Sequence, residues 1–248
     1  IQKHLKSQTV EIIMIAKIAF ENVYLARNYS PLKVMLKSGF GPYLWDTDNK
    51  QYYDFLSSYS ANNQGHCHPH IINALETQAR QLTLISRAFH HNKLGQLGEK
   101  MSVRFGFDKI LPMNTGVEAG ETAVKISRKW GYEKKGITPN NAKILFPTNN
   151  FWGRTIAASS TQNDFDGYNN FGPFTPNLNI VPYNDISSLR KEFETDKDIV
   201  GFFFEPIQGE AGVIIPDDDY LQNVRDLCDE YNVLMIADEV QTGMGRTG

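Results

Sequence analysis

The sequence predicts an α/β fold: a mostly parallel sheet covered by helices on both faces, preceded by a small α+β segment. Three observations carry this expectation. The chain has 248 residues, 41% hydrophobic and 21% charged, which is enough for a substantial buried core and ordinary for a globular protein. From about residue 108 onward, strand-like and helix-like segments alternate, the order expected of a parallel sheet whose strands are joined by crossover helices. Before about residue 60 the pattern differs, with short strands separated by a polar turn. The change places the expected division at 1–60, a helix plus small antiparallel strands, and 61–248, an incomplete large domain.

Within the first segment, the apolar run from Val10 to Phe20 is broken by Glu11 and Lys17. It is too short to span a bilayer and reads as an N-terminal helix docked on the core. A remnant of a targeting segment is the alternative, because Lys3, His4 and Lys6 precede the run; the lack of arginine there weakens a mitochondrial presequence reading. Val34–Leu36, Tyr43–Asp46 and Gln51–Phe55 read as strands, with Thr47-Asp48-Asn49-Lys50 as the turn between the last two. Pro69 stands where a first helical turn would start, and Ile71, Ile72, Leu75, Ala79 and Leu82 follow at helical spacing.

Strand-like runs then fall at Lys109–Pro112, Lys143–Pro147, Leu178–Pro182, Ile199–Phe204 and Val233–Ala237. Helices are expected over 117–134, 185–195 and 218–232, while 153–160 is ambiguous. The loop Thr161–Asn177, rich in Asn, Gly, Phe and Pro, is long enough to suggest a function. The chain opens with Ile1 and stops in a glycine-rich turn at Gly248, which reads as a fragment.

Charge and cysteine usage narrow the function classes. A net charge of -3 gives no electrostatic footprint for a nucleic acid or an anionic membrane. Cys67 and Cys228 are far apart and in no CxxC spacing, so a disulfide framework is not expected and a reducing compartment is.

Ligands of open parallel sheets bind at the carboxyl ends of the strands, and several polar clusters sit at such points. The turn Met113-Asn114-Thr115-Gly116-Val117 feeds the helix over 117–134. A helix start offers free backbone N–H groups and the positive end of the dipole, and Gly116 would let the backbone approach an anion. An ordinary N-cap by Asn114 or Thr115 competes with this phosphate-cradle reading. The strand Val233–Ala237 ends in Asp238-Glu239. A carboxylate there is expensive to bury unless it meets a cation or a protonated partner. It suits either magnesium in a nucleotide triphosphatase or the protonated ring nitrogen of pyridoxal phosphate; the first needs a Gly-Lys-Ser/Thr loop, which this chain lacks.

Gly243 to Gly248 matches GxGxxG, but Asp238 to Thr242 separate it from its strand, so a dinucleotide site is disfavoured. His66-Cys67-His68, with His70, His90 and His91, fits no zinc spacing, and no metal is expected; a local hydrogen-bonding role is the better reading. Phe151-Trp152-Gly153-Arg154 places an aromatic beside an arginine at a sheet edge, suited to a flat ring plus a carboxylate. Core packing with a surface arginine is the plain alternative. Glu205 and Glu210 follow another buried strand and stay open as capping or turn residues.

Taken together and in order, these motifs resemble the ornithine aminotransferase family, within the class-III pyridoxal-phosphate-dependent aminotransferases. The resemblance runs from about Glu21 to Gly248. It rests on Asn28-Tyr29-Ser30-Pro31, Phe55 to Ala61, Asn63 to Pro69, Leu111 to Glu121, Phe151 to Thr155, Glu205 to Glu210, and Asp238 to Gly243. The Gly-Val-Glu-Ala and Phe-Trp-Gly-Arg forms are typical of ornithine enzymes, whereas acetylornithine and aminobutyrate relatives usually differ there. The fold implied is the large domain of the fold-type I transferases.

The resemblance also implies roles. Gly116 and Val117 would bind the cofactor phosphate, Phe151 would stack on the pyridine ring, Asp238 would pair with the ring nitrogen, and Gln241 would bond the phenolic oxygen. Arg154 would grip a substrate carboxylate, Tyr29 and Tyr59 would shape the pocket, and Glu210 would act as a gate paired with a downstream arginine. The implied reaction moves the δ-amino group of L-ornithine to 2-oxoglutarate, in arginine and proline metabolism. A homodimer is implied, in the mitochondrial matrix or, alternatively, the cytoplasm. The Schiff-base lysine would lie on the next strand, past Gly248, so residues 1–248 alone are expected to be inactive. Residues 1–20 match nothing in the family, and Asn62 replaces a usual apolar residue.

Overall fold

A computed structural model describes residues 17–248, and their packing forms two compact units, one ending at His91 and the other Asn92–Gly248. The compositional boundary at 60/61 falls inside the first unit. Most of the run Val10 to Phe20 lies outside the described residues; its end belongs to a helix, α1, described over 17–24.

The first unit carries an antiparallel sheet in the order β1-β2-β3, formed by β1 (Leu36–Phe40), β2 (Tyr43–Asp46) and β3 (Gln51–Tyr53). The polar turn after β2 is organised by Asp46. Its Oδ1 accepts N–H bonds from Asp48 (2.9 Å) and Lys50 (2.8 Å), and its Oδ2 accepts the Tyr52 hydroxyl at 2.8 Å. These bonds to the ionised form hold its carboxyl below the usual range, although burial pushes the other way. The helix α2 (Pro69–Ala79) starts on its proline, as the fixed φ of that residue favours.

His66 finds a local partner in this unit. Its Nε2 lies 2.7 Å from Asp54 Oδ2. Asp54 Oδ1 accepts the N–H of Ser57 at 2.8 Å and of Leu56 at 3.2 Å, at the entrance to an unusual turn. Ser57, Ser58, Tyr59 and Ser60 all have left-handed backbones, with φ of 48°, 52°, 54° and 70°. Each such non-glycine residue costs about 1–2 kcal/mol, so the Asp54 bonds and the His66 contact offset a strained backbone.

The second unit holds the parallel sheet, in the order β5-β4-β6-β7. Its strands are β4 (Lys143–Pro147), β5 (Leu178–Val181), β6 (Ile199–Phe204) and β7 (Leu234–Ala237), and every neighbouring pair is parallel. All six residues of β6 are buried, the signature of a strand covered on both faces. Successive side chains point to opposite faces. Leu145, Phe202 and Phe204 therefore enter one core with Leu189 and Phe193 of α7 (Ile186–Thr195) and Val224 and Leu227 of α8 (Tyr220–Glu230). Ile144, Phe146, Val200 and Phe203 enter the other, with Val124 of α4 (Gly116–Trp130) and Ala157 and Ala158 of α5 (Ile156–Ser159).

Three expectations need correction. The first strand, expected over Val34–Leu36, is Leu36–Phe40. Lys109–Pro112 joins no ladder among the described residues: Ile110 and Leu111 are exposed and Pro112 has no N–H to donate. An apolar run without a strand alongside has nothing to pair its backbone groups. A further helix, α3 (Leu94–Phe105), was not expected; Gly95 and Gly98 weaken its helical pattern in the sequence. The ambiguous stretch contains only the single turn α5, capped by Thr155 Oγ1 accepting from Ala158 N–H at 3.2 Å. The long loop includes one more helical turn, α6 (Phe165–Tyr168). Among the described residues, no helix is long and apolar enough to cross a membrane.

Candidate active site

The strand order reverses between β4 and β6: the chain leaves β4 for β5 on one side, then crosses back to β6 on the other. Open α/β sheets bind ligands outside the carboxyl ends of their strands at such a point. An open cavity of about 220 Å³ lies there, lined by Gly116, Val117, Phe151, Trp152, Gly153, Glu205, Ile207, Asp238, Val240, Gln241 and Thr242. Phe151 follows β4, Glu205 follows β6 directly, and Asp238 follows β7 directly.

The helix start contributes one wall. Thr115 is extended, with φ -139° and ψ 163°, and its Oγ1 accepts the Glu118 N–H at 3.2 Å, while Glu118 Oε2 accepts the Asn114 N–H at 2.9 Å. This is a capping box shifted by one residue. The capping reading and the anion-cradle reading thus coexist, because the cap uses the third helical amide and the amides of Gly116 and Val117 have no acceptor within the helix. A methyl group on Gly116 would come 3.0 Å from Val240 Cγ2, so a side chain there would push on Val240 in the segment after β7.

Phe151 and Trp152 divide the labour of the aromatic wall. Trp152 is buried at 5% exposure and stacks on Phe146, with centroids 5.4 Å apart and planes at 15°. Its Nε1 donates to Thr161 Oγ1 at 2.8 Å, and that hydroxyl donates to Asn150 Oδ1 at 2.9 Å. A β-carbon on Gly120 would stand 2.7 Å from Trp152 Cε3, so α4 lies hard against the indole. Trp152 is a core anchor that also lines the cavity, and Phe151 beside it is left partly exposed to the opening.

Two carboxylates meet the cavity. Burial raises the Asp238 carboxyl above its usual range, opposed by the Val240 N–H donated to its Oδ1 at 3.0 Å and reinforced by the neighbouring charge of Glu239. Burial likewise raises Glu205, which is only 6% exposed, against bonds from the Phe151 and Gly209 N–H groups. The charge of Asp238 also raises Glu205. A site of this kind favours a cationic or proton-bearing ligand group.

The structure thus brings Gly116, Val117, Phe151, Asp238 and Gln241 to one cavity. Glu210 is exposed outside it but joined to it, with Gln241 Nε2 donating to Glu210 Oε1 at 2.9 Å. Arg154 is exposed and does not line the cavity. Tyr29 and Tyr59 belong to the first unit, Tyr59 within its left-handed turn. Sequence reasoning left Glu205 open as a turn residue. Its signal was the position directly after a wholly apolar strand, the same signal that singled out Asp238.

A cavity that joins an anion-accepting helix start, an aromatic face and a desolvated carboxylate fits a flat, phosphorylated, nitrogen-protonated ring, which is the chemistry of pyridoxal phosphate. The comparisons agree. The family described as Aminotransferase class-III matches residues 24–248, and the chain belongs to this family of pyridoxal-phosphate-dependent enzymes. The mitochondrial ornithine aminotransferase of Drosophila melanogaster is 56% identical over 230 residues, covering 93% of this chain and 53% of its own. An ornithine aminotransferase structure from Toxoplasma gondii, described with partial occupancy of PLP at its active site, superposes with TM-score 0.89 at 48% identity, over 91% of this chain and 53% of that one. The acetylornithine aminotransferase of Elizabethkingia anophelis superposes with TM-score 0.84 at 51% identity, over 94% and 57%. The chain spans about half the length of the curated relatives it matches.

Proposed function

We propose that the full-length protein carrying this segment is an ornithine aminotransferase, moving the δ-amino group of L-ornithine to 2-oxoglutarate to give glutamate 5-semialdehyde and glutamate. The observation that carries this reading is the cavity at the sheet's switch point, lined by Gly116, Val117, Phe151, Asp238 and Gln241, in a chain 56% identical to an enzyme of that name. Pyridoxal phosphate, when bound, supplies the electron sink that transamination requires.

The residues then take these parts. The Gly116 and Val117 amides hold the phosphate, aided by the dipole of α4. Phe151 would lie against the ring face. The Asp238 carboxylate would keep a proton on the ring nitrogen, and that cation would relieve its burial in return. Gln241, oriented through its bond to Glu210, would hydrogen-bond the phenolic oxygen. Arg154 would bind a substrate carboxylate with its forked guanidinium, and Glu210 would act separately as a gate between the two substrates. Tyr29 and Tyr59 shape the pocket around ornithine. The reading extends to a homodimer, to arginine and proline metabolism, and to the mitochondrial matrix; the name of the fly relative carries the word mitochondrial.

The test is selectivity. In the full-length enzyme, wild type should turn over ornithine in preference to acetylornithine and aminobutyrate with 2-oxoglutarate as acceptor. Tyr29→Ile should reduce that preference by about 1–3 kcal/mol, the loss expected of one polar contact left unpaired. Relative rates that favour acetylornithine in wild type, or that do not change in the variant, count against this assignment.

A further inference from the structure

Glu205 has a part that neither the family match nor the proposed roles assign. Its carboxylate receives two backbone donors from separate loops: Phe151 N–H on Oε1 and Gly209 N–H on Oε2, each at 3.0 Å. Its own backbone is fixed as well, because the Tyr183 hydroxyl, in the loop after β5, lies within hydrogen-bond reach of the Glu205 carbonyl (3.1 Å) and the Pro206 carbonyl (3.0 Å). Among the described residues, no lysine, arginine or histidine forms an ion pair with it.

The geometry explains why a carboxylate stands there at all. Both partners are N–H donors, so the bridging side chain must present two acceptors and no donor, which only an ionised carboxylate does. Glutamine would turn one of its ends, an NH₂, toward a backbone N–H. The bridge is also central to the site. Phe151 is the half-buried aromatic that faces the cavity opening. Gly209 is packed so tightly on Gln241 that a β-carbon would lie 2.6 Å from Gln241 Oε1, and Gln241 holds Glu210. A second link, Gln208 Nε2 donating to the Thr148 carbonyl at 2.8 Å, ties the same two loops on the far side.

We infer that Glu205 is a positioning residue: its carboxylate locks the loop of Phe151 to the turn of Gly209, and so sets the aromatic wall and the Gln241–Glu210 pair relative to the cofactor. The inference rests on the reading of Phe151 as the ring-facing aromatic of a pyridoxal-phosphate site.

The test uses the full-length enzyme, wild type and the variants Glu205→Gln and Glu205→Asp. Glutamine keeps the size and loses one acceptor; aspartate keeps the charge but is one methylene too short to span both donors. In the cofactor-free protein, amide hydrogen exchange at Phe151 and Gly209 should lose protection by about 10-fold or more in both variants. The dissociation constant of pyridoxal phosphate, read by absorbance, should rise by about 10- to 100-fold in both. In a Phe151→Leu background, the added effect of Glu205→Gln on cofactor binding should shrink to within about 2-fold, because coupled positions are not additive. Wild-type exchange at both amides would overturn the inference. So would an undiminished Glu205→Gln effect in the Phe151→Leu background, or an aspartate variant that binds cofactor like wild type, since either makes Glu205 act through its charge alone. If ornithine proves not to be a substrate while these exchange and binding results hold, only the substrate assignment falls. Should Glu205→Gln not fold, Glu205→Asp carries the same measurements.

Discussion

Replacing Gly153 with alanine would drive a methyl group into the start of α4. Gly153 has φ +142°, and a β-carbon there would lie 2.6 Å from Val117 Cβ and closer still to its Cγ2. Rotating the valine side chain can move Cγ2 but not Cβ, whose place is set by the backbone. The helix start cannot simply retreat, because Gly116 already lies against Val240. Two penalties follow: about 1–3 kcal/mol for an L-residue held in a glycine-only backbone region, and about 1–3 kcal/mol for overpacking. Together they amount to about 2–6 kcal/mol, a large part of an ordinary domain's stability of about 5–15 kcal/mol. Urea denaturation of the cofactor-free full-length protein should show the midpoint falling with an unchanged slope. Because the displaced residues carry the amides assigned to the phosphate, titration with pyridoxal phosphate should show weaker binding as well. Adding Val117→Ala removes the γ-methyl contact alone and should restore part of the stability. An unchanged midpoint together with unchanged cofactor affinity would refute both the packing argument and the placement of the phosphate.

Asp238→Asn separates stability from function. The wild-type carboxyl is raised by burial, so its contribution to stability is complete below the ordinary carboxylate range and is lost as pH rises through the raised value. Asparagine cannot ionise, so the thermal midpoint of the cofactor-free variant should gain on wild type as pH increases from 4 to 7, an interval of about three units around that range. Turnover should collapse, since a neutral amide does not keep the ring nitrogen protonated; near-normal activity would show that Asp238 is misassigned. Thr161→Val tests the buried network instead. It leaves Trp152 Nε1 without its acceptor, which should cost about 1–3 kcal/mol in urea melts, and a stability equal to wild type would mean that the indole has another partner.

Much of the site was legible because its residues sit where strands end. Asp238 after β7 and Phe151 after β4 are polar or aromatic punctuation at the close of apolar runs, and the Thr115–Glu118 spacing is a local capping signal. Glu205 followed the same rule, but its importance was not legible. The value of a carboxylate there depends on joining the nearby Gly209 N–H to the Phe151 N–H, and the latter reaches it only after β4 and β6 pair. The two aromatics of Phe151-Trp152 looked alike in sequence. Packing alone made one of them a core anchor and left the other at the opening.

The sequence by itself determined the class of fold, the four parallel strands and the helices α7 and α8 of its second unit, and the carboxyl-end residues, because alternation, capping and turn chemistry act over a few residues and are written locally. It could not show that Lys109–Pro112 would stay outside the sheet, since a strand exists only when a partner satisfies its backbone groups. Nor could it show the left-handed run from Ser57 to Ser60, whose strain is offset by Asp54 and His66 from outside the run. What only the tertiary structure decided was contact between distant positions: the lack of room for a β-carbon between Gly153 and Val117, the close approach of Gly116 to Val240, and the Phe151 N–H reaching Glu205. Those contacts lie tens of residues apart in sequence, where no local periodicity encodes them and the close-packed interior alone selects them.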